Sequence, residues 1–246
     1  MPQTIRVKLN STVRQDDLSQ INIARSLLQP MPDVILGVPD TGNEMVVSVT
    51  PTPGTIFGAR GGAILSDNSL WIADTGHHRL LGWKDLPSAD NSPADIVIGQ
   101  PDFFHEGRNG KSDINASSLN VPTGVTACGK GLAVADAWNH RILIWHETPT
   151  VNNQPADVVL GQADLFSGEG NRGKDMPTDA TLFWCYGIFW DGERLWVADT
   201  GNRRVLMWSG LPTSNGQKAD LILGQNDFAT RDENGGTEPN ATSMRW

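Results

Sequence analysis

The apolar positions of the chain fall in short runs, not in helical stripes. GGAIL (61–65), LWIAD (70–74), RLLGW (79–83) and DIVIG (95–99) set the pattern, and similar runs follow at 123–127, 132–136, 141–145, 186–190, 195–199 and 204–208. Each holds four to six residues, is rich in β-branched or aromatic side chains, and is bounded by Gly, Asn, Asp or Pro. That pattern predicts strands, because the runs are too short for helices. LWVA (195–198) and VLMW (205–208) are apolar at nearly every position. Such strands bury both faces, as in sheets that stack face to face.

The runs repeat. PDVILGVPD (32–40), ADIVIGQPD (94–102), ADVVLGQAD (156–164) and ADLILGQND (219–227) place an Asp at 33, 95, 157 and 220, spaced by 62, 62 and 63 residues. LWIADTGHHRLLGW (70–83), LAVADAWNHRILIW (132–145) and LWVADTGNRRVLMW (195–208) place another at 74, 136 and 199, with the same 62 and 63 spacing. Two independent segments sharing one period define a repeat unit. Within a unit the order is a Gly-containing apolar stretch, a short turn, L-x-[IV]-A-D, a polar turn, R-[LIV]-L-x-x-W, a Pro-rich connector and D-[IVL]-[VI]-[IL]-G. Four short antiparallel strands per unit, stacked unit on unit, predict the blades of a β-propeller.

ADTGHHRLLGW, ADAWNHRILIW and ADTGNRRVLMW resemble the NHL repeat, named for its Asn-His-Leu signature and written more generally VADTGNHRV. Asn139-His140-Arg141 is the nearest match. The DVVLGQPDF-type segment resembles a bacterial NHL subgroup with lengthened blades. The resemblance spans roughly residues 55–228 and in part 30–40. It implies an all-β, NHL-type propeller and no particular activity, since such propellers include enzymes, RNA binders, sensors and scaffolds.

On that reading blade 1 with its connector covers 55–116, blade 2 covers 117–179 and blade 3 covers 180–242. Residues 1–54 form a degenerate N-terminal blade, with further strands expected at 5–10 and 23–28. SMRW (243–246) aligns with SLNV (118–121) and TLFW (181–184) as the start of another inner strand. Three closures stay open: a second copy of the chain completing the ring, a longer or split polypeptide, and a four-bladed ring in which the C-terminus supplies the missing inner strand.

Composition narrows the function classes. The chain has 246 residues and is 38% hydrophobic, with 9 Trp, which argues against disorder. No apolar run is long enough for a membrane helix, and no apolar leader is visible, so the cytoplasm is the default expectation. Two Cys cannot build a disulfide framework and are expected as free, buried thiols. The net charge of −9 weighs against a nucleic-acid binder. However, eleven Asp in three recurring columns and three recurring Arg account for −8 of it, so the acidity belongs mostly to the repeat.

Propeller topology puts the strand 2–3 turns and the strand 4–1 connectors on one face. That face is the expected site of ligand or partner binding, because long loops on a rigid scaffold carry function. It gathers His77, His78, Arg79, His105, Trp138, Asn139, His140, Arg141, Asn202, Arg203 and Arg204. Asp74, Asp136, Asp199, Asp33, Asp95, Asp157 and Asp220 recur in every unit, so they are expected to serve the fold by accepting backbone hydrogen bonds. Asp40, Asp102, Asp164 and Asp227 are expected to cap the turn after G-Q-x. Arg79, Arg141 and Arg204 are expected to pair with the recurring Asp or with a neighbouring blade.

No catalytic or metal-ligand spacing is present, so no catalytic residue, metal ligand or cofactor is expected. Ca or Zn would need ligands converging from several blades. The expected function is a non-enzymatic scaffold that binds a protein or ligand, as an oligomer or within an assembly. The partner would be another protein or a second copy. The alternatives are a propeller lyase or hydrolase with an axial metal, and an RNA-binding NHL domain.

Overall fold

The computed structural model describes residues 33–37 and 50–245. The chain divides into two compact units, Met1–Asp33 and Val34–Trp246. Of the first unit only Asp33 is described, and it is exposed. The strands expected at 5–10 and 23–28, Asp40 and Trp246 lie outside the described residues.

Among its described residues the second unit, Val34–Trp246, is all-β and holds three repeats, called the first, second and third below. Its first sheet is β1 (Gly61–Ile64), β2 (Leu70–Asp74), β3 (Arg79–Trp83) and β4 (Ile96–Ile98). The second is β5 (Pro122–Cys128), β6 (Gly131–Asp136), β7 (Arg141–Trp145) and β8 (Val158–Leu160). The third is β9 (Cys185–Trp190), β10 (Arg194–Asp199), β11 (Arg204–Ser209) and β12 (Leu221–Leu223). Each is an antiparallel meander in chain order. The register repeats: Asp74 lies opposite Arg79, Asp136 opposite Arg141 and Asp199 opposite Arg204. Among the described residues the only helical elements are short 3₁₀ turns.

The three sheets stand in a row that is not closed into a ring, with β5 against both β1 and β9. Alternation within each strand explains the stacking, because neighbouring side chains point to opposite faces. Leu132, Val134, Leu143 and Trp145 of the second sheet join Trp71, Ala73 and Leu80 of the first in one core. The intervening Ala133, Ala135, Ile142 and Ile144 join Leu195, Val197, Leu206 and Trp208 of the third sheet in another. Both faces of the middle sheet are therefore buried, as its unbroken apolar runs require.

The inner strands approach closely at recurring glycines. A Cβ on Gly61 would lie 3.0 Å from Gly124 Cα, and one on Gly124 would lie 3.1 Å from Ile188 Cγ2. Thr75 and Thr123 stitch neighbouring repeats together, their hydroxyls donating to Pro122 O (2.6 Å) and Tyr186 O (2.8 Å).

Candidate functional site

The polar turn between the second and third strands of each sheet is a 3₁₀ turn closed by a left-handed residue: His78 (φ 57°), His140 (φ 53°) or Arg203 (φ 56°). Beneath it lies a buried ion pair. Arg141 Nε donates to Asp136 Oδ2 at 2.7 Å, and both side chains are fully buried. Asn139 Nδ2 donates to the same oxygen at 2.8 Å, and Asn120 N–H donates to Oδ1 at 2.7 Å. The remaining Arg141 nitrogens donate to the carbonyls of Leu165 (2.7 Å), Asn115 (3.0 Å) and Ser118 (2.8 Å). Every charged atom is thereby paired, which a buried ion pair requires. Burial pushes the Asp136 and Asp199 carboxyls up, and the adjacent guanidinium opposes it.

The third repeat has the same hub, with Asp199, Arg204 and Asn202, and with the amide of Phe183. The first uses Asp74, Arg79 and the amide of Phe57, with His77 Nδ1 2.8 Å from Asp74 Oδ2 in place of the Asn. In each repeat the guanidinium reaches both flanking loops, so the hub fixes the loop end of its own sheet.

His78 and His140 couple neighbouring repeats. His78 Nδ1 accepts the N–H of Val121, and His140 Nδ1 accepts that of Trp184, each at 3.0 Å. Both rings are therefore acceptors at Nδ1. Burial lowers both pKa values, that of His140 to about 4, and Arg108 adds to the effect at His78. Arg203 stands at the third such position and donates to Arg231 O at 2.9 Å.

The long connectors are tied down by recurring amides that sequence reasoning missed. Asn109 and Asn139 pair side chain to side chain, as do Asn171 and Asn202. Gln100 Nε2 donates to the carbonyls of His77, His78 and Gly107 at 3.1, 3.1 and 2.7 Å. Gln162 does the same at Asn139, His140 and Glu169. The signals were present as columns: Asn109, Asn171 and Asn234, and Gln100, Gln162 and Gln225.

The residues expected on one binding surface thus separate into two layers. His77, Arg79, Asn139, Arg141, Asn202 and Arg204 are buried, with their polar groups turned to the hub, so they are not offered to a ligand. His78, His140 and Arg203 are half-buried, while His105 and Trp138 are exposed. His105 Nδ1 lies 2.7 Å from Asp102 Oδ1, and this contact lowers the Asp102 pKa. Asp95, Asp157 and Asp220 accept the amides of Lys84, His146 and Ser209 at 2.9, 2.8 and 2.7 Å. Asp102, Asp164 and Asp227 accept those of Phe104, Phe166 and Ala229.

Exposed aromatic side chains gather at this end, among charged residues of both signs that include Arg108, Lys174, Glu106, Asp164, Glu169 and Asp175. Phe57, Phe104, Trp138, Phe166 and Trp184 are all exposed here. Arg108 sits 5.0 Å over Trp138, and Arg231 sits 5.1 Å over Phe183. Phe183 and Trp184 stack with centroids 4.5 Å apart. A cleft beside them is lined by Gly170, Asn171, Lys174, Asp175, Phe183 and Arg231.

Cys128 and Cys185 are free and buried. Burial pushes the Cys128 thiol up to about 12 and raises Cys185 well above the usual range, so neither is a nucleophile. Among the described residues no group of three or more His, Cys, Asp or Glu is placed to hold a metal ion, and no helix is long and apolar enough to cross a membrane.

Comparison with protein-family models gives no match, and comparison with curated proteins gives none either.

Proposed function

We propose that the chain is a non-enzymatic β-propeller scaffold of NHL type that binds a protein partner through its loop end. One observation carries this reading. Five of the six exposed aromatic side chains among the described residues (Phe57, Phe104, Trp138, Phe166 and Trp184) lie at that end, and Phe189 is the sixth. Exposed aromatics next to Arg are the composition of protein-binding hot spots. The hubs beneath hold these loops in place, which lowers the ordering cost of association.

The test is affinity capture with the wild-type chain and with a Phe104→Ser/Trp138→Ser/Phe166→Ser variant of equal thermal midpoint. The reading expects a saturable partner held by the wild type and lost by the variant. Identical partners on both proteins would contradict it.

The stacked Phe183–Trp184 pair under Arg231 favours a second reading, single-stranded RNA, whose bases stack on such platforms. The acidic chain opposes it. Salt-sensitive retention of RNA on a filter would support this second reading, and its absence would remove it.

A further inference from the structure

The outward edges of β4 and β8 are each closed by a turn from the following repeat. Val97 N–H donates to Asn152 Oδ1 (3.0 Å), and Val97 O accepts Asn153 N–H (2.9 Å). Val159 does the same with Asn215 Oδ1 (3.0 Å) and Gly216 N–H (2.8 Å). Ile35, ahead of the first sheet, does so with Asp90 Oδ1 (2.7 Å) and Asn91 N–H (2.8 Å). Asn91, Asn153 and Gly216 all have positive φ, so this is one turn used three times.

Ile222 of β12 is the fourth such edge, and among the described residues no turn closes it. The neighbouring side chains show the consequence. Leu221 and Leu223 are 36% and 44% exposed, whereas their counterparts Ile96, Ile98, Val158 and Leu160 are at most 3% exposed. The surface left open is therefore the one that this chain's own repeats cover elsewhere.

We propose that a second copy of this chain docks on β12 through its Asp90–Asn91 turn. Residues 33–37 (DVILG) and 220–224 (DLILG) differ only by Val34 against Leu221, so one turn can read either strand. Residues 34–37 belong to none of the three sheets. They are held by that turn, by a single bridge from Gly37 to Thr55 and by Leu36 packed against the Leu81, Trp83, Ala94 and Val97 cluster, and Ile35 is 41% exposed. β12 is backed by a complete sheet. Exchange replaces a short segment that no sheet backs with a strand of nearly the same sequence that carries its sheet along. It also covers Leu221 and Leu223. Made reciprocally, it closes two copies into one ring.

The inference rests on the stacked-repeat part of the proposed function and not on what the loop end binds. Light scattering on the purified full chain tests it, with Ile222→Pro and Leu221→Lys/Leu223→Lys as variants. Proline at 222 removes an outward N–H and leaves the β11–β12 bonds in place, the position in which edge strands accept it. The lysines replace residues already exposed and keep the experiment decisive if the proline variant fails to fold.

The expected result is a dimer of the wild type whose dissociation constant rises about tenfold or more in the variants. A strict monomer at every concentration overturns the proposal, whether β12 is covered by the chain's own residues or by another protein. So does a dimer that both variants leave intact. A monomer that still loses its partner in the Phe104/Trp138/Phe166 variant would sink self-docking alone.

Discussion

His140 Nδ1 accepts the backbone N–H of Trp184, 3.0 Å away in the next repeat. The bond needs the neutral ring, and burial lowers the pKa from the ordinary 6.5 to about 4. Above pH 6.5 the ring is neutral in both folded and unfolded chains. Below it the unfolded chain takes up the proton first, so stability falls as pH drops from 6.5 towards 4. Thermal midpoints across that window are expected to show the loss. His140→Asn keeps a non-titrating acceptor on a residue that tolerates positive φ, and its loss should be smaller. An equal loss would place the pH sensitivity elsewhere.

The Asp136–Arg141 pair is fully enclosed. Asp136→Ala leaves a buried guanidinium without its counter-charge, which costs about 3–5 kcal/mol. Urea unfolding measures this directly. Asp164→Ala removes an exposed cap on Phe166 and is expected to cost far less.

Val121 adopts φ 55° where its counterpart in the first repeat is Gly58 at φ 64°. A β-branched residue is strained there, and the His78 bond to its amide holds it in place. Val121→Gly is expected to raise stability by about 1 kcal/mol, the left-handed penalty less the glycine entropy. A fall in stability would show that the Val121 side chain contributes more than its strain costs.

Much of the fold was legible because strand pattern and period agreed. LWIAD, LAVAD and LWVAD became β2, β6 and β10, and the Asp columns serve the backbone in each repeat. The candidate surface was legible only in outline. The sequence placed Arg141 and Trp138 together, because Trp138 lies in the turn that Arg141 follows. It could not show that one points into the hub and the other into solvent. The ties of the connectors were hidden for another reason. Asn109 meets Asn139 across 30 residues, and Asn153 meets Val97 across more than fifty. Such pairs leave no local pattern, and only the recurrence of each Asn at the repeat period marks them.

The proposed function requires the hubs and histidine links to make the loop end rigid. Hydrogen exchange resolved by NMR tests it at single amides. Phe57, Asn120 and Phe183 donate to buried carboxylates, and Val121 and Trp184 donate to histidine. These loop amides are expected to exchange as slowly as those of β6 and β10, through opening of the whole fold. Exchange at the rate of an unprotected loop would contradict it.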